Sequence, residues 1–159
     1  MTNYNNWDDG AYAALQHLAA FAAEVQYDEN IWTPIFEALG THVRHYPDKT
    51  GLIVSLLERA GVAALQELAD EPFSIKAMHE LLVSKQHDYG HANILHFGII
   101  GVAVRLCDKI ARMHNLKRRD TPAKNEALTD TYMDILGYAA IALMLEDGSF
   151  ELELKQDGK

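Results

Sequence analysis

A chain of 159 residues, 48% of them hydrophobic, can bury a core without a metal or disulfide staple, so a single domain over residues 1–159 is expected. A net charge of −9 argues against long nucleic acids, whose binding depends largely on phosphate neutralisation. One cysteine, Cys107, excludes an internal disulfide, and the polar opening Met1 to Asp9 lacks signal-peptide character; both imply a reducing cytoplasm.

The apolar periodicity is helical almost throughout, which predicts an all-α domain of about five to six helices. The first helix starts near Asp8 or Asp9, presents Tyr12, Leu15, Leu18, Ala22 and Val25, and ends around Tyr27. Thr33 followed by Pro34 reads as the cap and first turn of a second helix, closed by Tyr46-Pro47. Thr50 caps a third segment that Gly61 should stop, and Val62 to Ala69 makes a short fourth one ended by Pro72. Residues 1–73 are thus expected to be helical scaffold.

Residues 74–146 carry the chemistry. Ser74 caps a helix through Met78 and Leu82 that stops at Gly90. From His91 a long helix carries Leu95, Ile99, Val102, Leu106, Ile110 and Met113 on its buried stripe. Gly98 and Gly101 share its charged side, where a helix or ligand could approach the backbone. The last helix runs from about Pro122 to Leu145, with Leu128, Tyr132, Ile135, Ala139 and Leu143 inward. Its longest apolar-and-small run, Ile135 to Leu145, falls short of the roughly 20 residues that span a bilayer, so no membrane partner is expected. In the tail, 147–159, Phe150, Leu152 and Leu154 alternate with polar residues, a weak signal for one short strand.

Two charged rows stand out on the long helices. Arg105, Asp108, Lys109 and Arg112 recur in steps of three and four, as do Glu126, Asp130 and Asp134, so each row holds one side of a helix. Basic groups suit phosphate, and clustered carboxylates suit a hard divalent cation. The stripe through Asp130 and Asp134 continues into Tyr138, Ile141 and Leu145, which implies that it is covered and that the carboxylates have cationic partners. Arg105, Lys109 or a metal would supply them. The bland alternative is an intrahelical ladder of Asp108 with Arg105 or Arg112, together with ordinary acidic surface near a helix start.

Other motifs are weaker. His79, His87, His91 and His96 lack zinc-site spacing, because Gly90 interrupts the i,i+4 geometry and Cys107 has no companion thiol. Cys107 has no nucleophile elbow, and Lys49-Thr50 lacks the glycine pattern of a phosphate loop.

The combination Lys85-x-x-Asp88-Tyr89-Gly90, Arg105-x-x-Asp108-Lys109-x-x-Arg112 and Glu126-x-x-x-Asp130-x-x-x-Asp134 with Tyr138 resembles the nucleotide modification associated domain of phages and bacteria. That family's helical plan is similar to the all-α nucleoside triphosphate pyrophosphatases, the MazG and dimeric dUTPase group. The resemblance spans roughly Met78 to Leu145 and implies Asp130 and Asp134 as catalytic metal ligands, Asp108 and Glu126 as further ligands, and the basic residues as phosphate contacts. This chain departs from the MazG pattern in offering one acid, Asp108, among bases and then acids at four-residue steps.

The expectation is an Mg²⁺-dependent nucleoside or deoxynucleoside triphosphate pyrophosphohydrolase in phage or bacterial nucleotide metabolism. Lys85, Arg105, Lys109 and Arg112 would hold the phosphates, and Tyr89 and His91 would meet the base or sugar. A nucleotide sensor or sponge without turnover is the alternative, and a helical protein-interaction module the third reading. A homo-oligomer, a dimer above all, is expected because a second subunit would complete the charged rows and pair the terminal strand.

Overall fold

The computed structural model describes residues 3–120 and 123–156. Six helices follow one another: α1 (Trp7–Glu24), α2 (Trp32–His45), α3 (Thr50–Glu67), α4 (Ile75–Tyr89), α5 (Ala92–Lys117) and α6 (Lys124–Asp147). Short 3₁₀ turns at Glu29–Ile31 and Ser149–Glu151 flank the series, and no strand occurs among the described residues. The chain is all-α.

Two of the starts are set by side-chain caps. The Asn6 side chain accepts from the Asp9 amide at 2.8 Å, and the Ser74 hydroxyl accepts from the Ala77 amide at 3.0 Å, satisfying N–H groups that a helix start otherwise leaves open. The second helix begins earlier than Thr33-Pro34 suggests. The turn at Glu29–Ile31 runs straight into Trp32, so Thr33 and Pro34 fall within the first turn of α2. Pro122, the expected start of the last helix, lies outside the described residues, and α6 is helical from Lys124.

The core forms where α6 packs against α3 and α5, with α1 closing over α3 and α6. Ile135, Leu136, Ala139 and Ala140 of α6 are fully buried, as are Leu106, Ile110 and Met113 of α5. By length and composition α6 is the one described helix able to cross a bilayer, yet half of its most apolar window is buried inside the protein. Its apolar content is that of a core helix.

Three expectations are corrected. Gly61 does not stop a helix: α3 runs unbroken from Thr50 to Glu67, and a Cβ at Gly61 would meet the Ala139 Cβ at 2.4 Å. The glycine is a contact point that lets α3 and α6 approach. Gly98, by contrast, breaks α5 with φ 62° and ψ −152°, a conformation essentially reserved for glycine. The buried stripe therefore holds from Val102 onward but fails before the break, where Leu95 is 40% exposed. Gly101 offers no opening for a ligand, because the Phe97 side chain, Cβ first, occupies the space beside it.

The tail is the third correction. Instead of a strand, residues 149–155 form a 3₁₀ turn and an extended segment that hooks onto the start of α1. The Trp7 amide donates to the Glu153 carbonyl at 2.8 Å, and the Lys155 amide donates to the Asp8 carboxylate at 2.9 Å. Phe150 is fully buried, edge-on to Trp7. The alternation of apolar residues reflects one side pressed onto the body, with no sheet partner required.

Candidate functional site

A cleft of about 450 Å³ opens between α4, α5 and α6. Met78, Leu82, Met133 and Ile141 give it an apolar lining, and Trp7 from α1 contributes to it. Its polar residues are Lys85, Gln86, Tyr89, Asn93, Arg105, Lys109, Asp134 and Tyr138. Tyr138 and Ile141 explain the stripe that continues from Asp134. It is half-buried because it forms a cleft wall.

Asp134 sits between two lysines. Lys109 Nζ lies 2.9 Å from Oδ2, and Lys85 Nζ lies 3.2 Å from Oδ1. The cationic partners anticipated for this carboxylate thus come from α5, as expected, and from α4, forty-nine positions earlier. Arg105 lines the same cleft and forms no ion pair among the described residues. Three cations consequently face one carboxylate, leaving a local charge of +2 (three minus one) in a chain whose net charge is −9.

The other charged residues lie apart. Asp108, Arg112, Glu126 and Asp130 are exposed and do not line the cleft. Among the described residues no three His, Cys, Asp or Glu side chains come together to hold a metal ion, so the four acids are not gathered into one cluster. Asp134 is the only one of them in the cleft. Tyr89 stands at its rim with 76% of its surface open.

His91 is not a cleft residue. Its Nε2 lies 2.8 Å from the Leu152 carbonyl, its Nδ1 lies 3.1 Å from the Gln86 side-chain nitrogen, and its ring packs against Phe150. What sequence reasoning missed is Gln86, 6% exposed and lining the cleft. The signal was present: Met78, Leu82 and Gln86 repeat every four residues, which places a polar amide on the apolar stripe of α4.

Two further groups clarify the chemistry. Burial, with the neighbouring Asp108 carboxylate adding to it, pushes the Cys107 thiol up to about 11, so at neutral pH it is a thiol and no nucleophile. At the far end of the bundle Glu67 accepts from the Tyr27 hydroxyl, and Lys117 Nζ lies 3.7 Å from the same carboxylate. The indole of Trp32 donates to the Tyr27 oxygen at 3.3 Å, which joins α2 to this cluster. These contacts tie helix ends together, and Tyr27 also borders a shallow, open pocket that Gln26, Asp28, Glu29 and Asn30 line without a cation.

Residues 85–145 match the protein-family model of nucleotide modification associated domain 1. The match covers less than half of the chain, yet it begins at Lys85 and takes in every cleft residue except Trp7, Met78 and Leu82. Its span is therefore that of the last turn of α4, α5 and most of α6. No curated protein and no solved structure matches the chain.

Proposed function

We propose that the α4–α5–α6 cleft binds the phosphate groups of a nucleotide, with Lys85, Arg105 and Lys109 as the anion contacts. The observation that carries this reading is the excess of cations in a half-enclosed cleft of an acidic protein. Such an excess focuses anions, and a guanidinium without an ion-pair partner is the group best shaped for phosphate oxygens. The coincidence of the cleft with the nucleotide-modification domain match adds support. A volume of about 450 Å³ suits a mononucleotide rather than a polymer.

The test is calorimetric titration of the whole protein with nucleoside triphosphates and with inorganic tripolyphosphate. Arg105→Ala and Lys109→Ala should each weaken binding by about ten- to hundredfold, the range for a charge-assisted hydrogen bond, and rising salt should weaken it further. Unchanged affinity in both variants would overturn the assignment.

A second reading follows from Asp134, the one carboxylate inside the cation cluster. In it the protein is an Mg²⁺-dependent pyrophosphohydrolase of MazG-like type, and Asp134 supplies a metal ligand once an incoming triphosphate has drawn the lysines away. Asp108, Glu126 and Asp130 would then act only if helix movement or a second subunit brought them to the cleft. Phosphorus NMR of a mixed triphosphate pool, with Mg²⁺ and then with chelator, separates turnover from binding alone.

A further inference from the structure

Two nearly buried side chains of the cleft lining have unused hydrogen-bonding capacity: Trp7, whose indole N–H has no partner, and Gln86, whose amide is half used. Gln86 is 6% exposed, and its amide nitrogen lies 3.1 Å from His91 Nδ1. The direction of that bond is fixed by what lies beyond it. His91 Nε2 faces the Leu152 backbone carbonyl at 2.8 Å. A carbonyl can only accept, so Nε2 carries the proton and donates it; Nδ1 is then left with a lone pair and accepts from the Gln86 amide. The amide is anchored by its nitrogen end. Its Oε1 has no hydrogen-bond partner among the described residues, in a side chain that lines the cleft.

We propose that Gln86 reads the nucleobase through this carbonyl oxygen, selecting a base that presents an amino group over one that presents an oxo group in the same place. This inference rests on the phosphate-binding reading and adds the class of base to it. Open to the cleft while it is empty, this acceptor discriminates once a bound base shuts water out, because a ligand N–H satisfies it, whereas a ligand oxygen sets two lone pairs against each other and leaves both unsatisfied. His91 is a positioning residue. It does not touch the ligand, but by holding the amide nitrogen it prevents the half-turn about the terminal torsion that would exchange oxygen for nitrogen in the cleft. The Leu152 carbonyl fixes His91 in turn, and packing against Phe150 holds the ring in place. The base has an apolar bed beside Ile94 and the open ring of Tyr89 near the rim, while Lys85, Arg105 and Lys109 take the phosphates.

Two nucleotide pairs differing by amino against oxo, CTP with UTP and ATP with ITP, test the idea in calorimetric titrations of the whole protein, beside tripolyphosphate as a probe without a base. The expected result is a preference of about tenfold or more for the amino member of each pair, the value of one buried hydrogen bond gained against one lost. Gln86→Met, which keeps the shape and removes the acceptor, should bring both ratios close to one while leaving tripolyphosphate affinity unchanged. His91→Phe should lower the ratios too, because the released amide can turn either end to the ligand. If His91→Phe fails to fold by circular dichroism, the wild type and Gln86→Met suffice for the decision. Ratios near one in the wild type, or ratios that survive in Gln86→Met, overturn the role of Gln86 and leave phosphate binding standing. Failure of tripolyphosphate and of every nucleotide to bind overturns both.

Discussion

Asp134 shows how one residue can serve two opposing ends. Its carboxylate holds Lys85 and Lys109 in place while it offsets part of the charge that an anionic ligand would meet. With about a quarter of its side chain exposed, the pair energies are those of screened surface bridges, so Asp134→Asn should cost no more than about 1 kcal/mol of stability. The same change should tighten tripolyphosphate binding about tenfold, since two lysines lose their competing partner. Calorimetry checks the affinity; in the pyrophosphohydrolase reading, phosphorus NMR should also lose any Mg²⁺-dependent product. Much of this was legible from the sequence. The spacing of Arg105 and Lys109 put both on one side of α5, and the apolar continuation of the acidic row required a cation near Asp134. The contribution of Lys85 was legible only from family resemblance, because its meeting with Asp134 depends on how α4 lies across α6. Glu126 and Asp130 share a helical side with Asp134 but lie nearer the start of α6, where the side chains reach solvent, and periodicity alone does not say where along a stripe the cover ends.

At the scale of elements, two glycines exchange the roles their positions suggest. Gly61 lies between two helical stretches and reads as a terminator; in the fold it is a point of close approach between α3 and α6. Gly98 lies inside a long periodic run and reads as a contact, but it breaks the helix. The sequence shows the residue in both cases and not its backbone angles. Gly61→Ala would drive a methyl group to 2.4 Å from Ala139 in an interior with no slack, at a cost of roughly 1 to 3 kcal/mol by the usual penalty for overpacking. The midpoint of urea unfolding should fall with its slope unchanged. A helical glycine with room beside it would gain from alanine, so a midpoint that holds or rises would count against the contact role.

At the scale of the whole molecule, the two ends of the bundle respond to different conditions. The cleft end is governed by ionic strength through its excess cations. The far end is governed by alkali, because burial and then the Glu67 carboxylate raise Tyr27 and Tyr132 well above the ordinary tyrosine range. Unfolded tyrosines ionise near about 10, so the neutral hydroxyls contribute stability that is full below that value and is lost as pH rises toward the folded values. Urea midpoints measured from pH 8 to 11 should hold steady and then fall, and Tyr27→Phe should flatten the fall. The all-α class was legible from periodicity because each helix carries its own repeat. The clasp of the tail on α1 was not, since it depends on backbone hydrogen bonds that any side chains can make.

Gly90 and Gly98 adopt nearly the same left-handed, extended angles, φ 71° with ψ −166° and φ 62° with ψ −152°, and they bracket one wall of the cleft. The seven residues between them include Leu95, His96 and Phe97 facing solvent, and their own helical turns stop at the second glycine. A piece of chain that is bounded by two swivels and contributes little to the core can come apart on its own. Amides of residues 92–97 should therefore exchange with deuterium through an opening that is insensitive to denaturant, while those of Val102 to Met113 wait for the whole protein to unfold. Nucleotide bound beneath that segment should slow the first set and leave the second as it was.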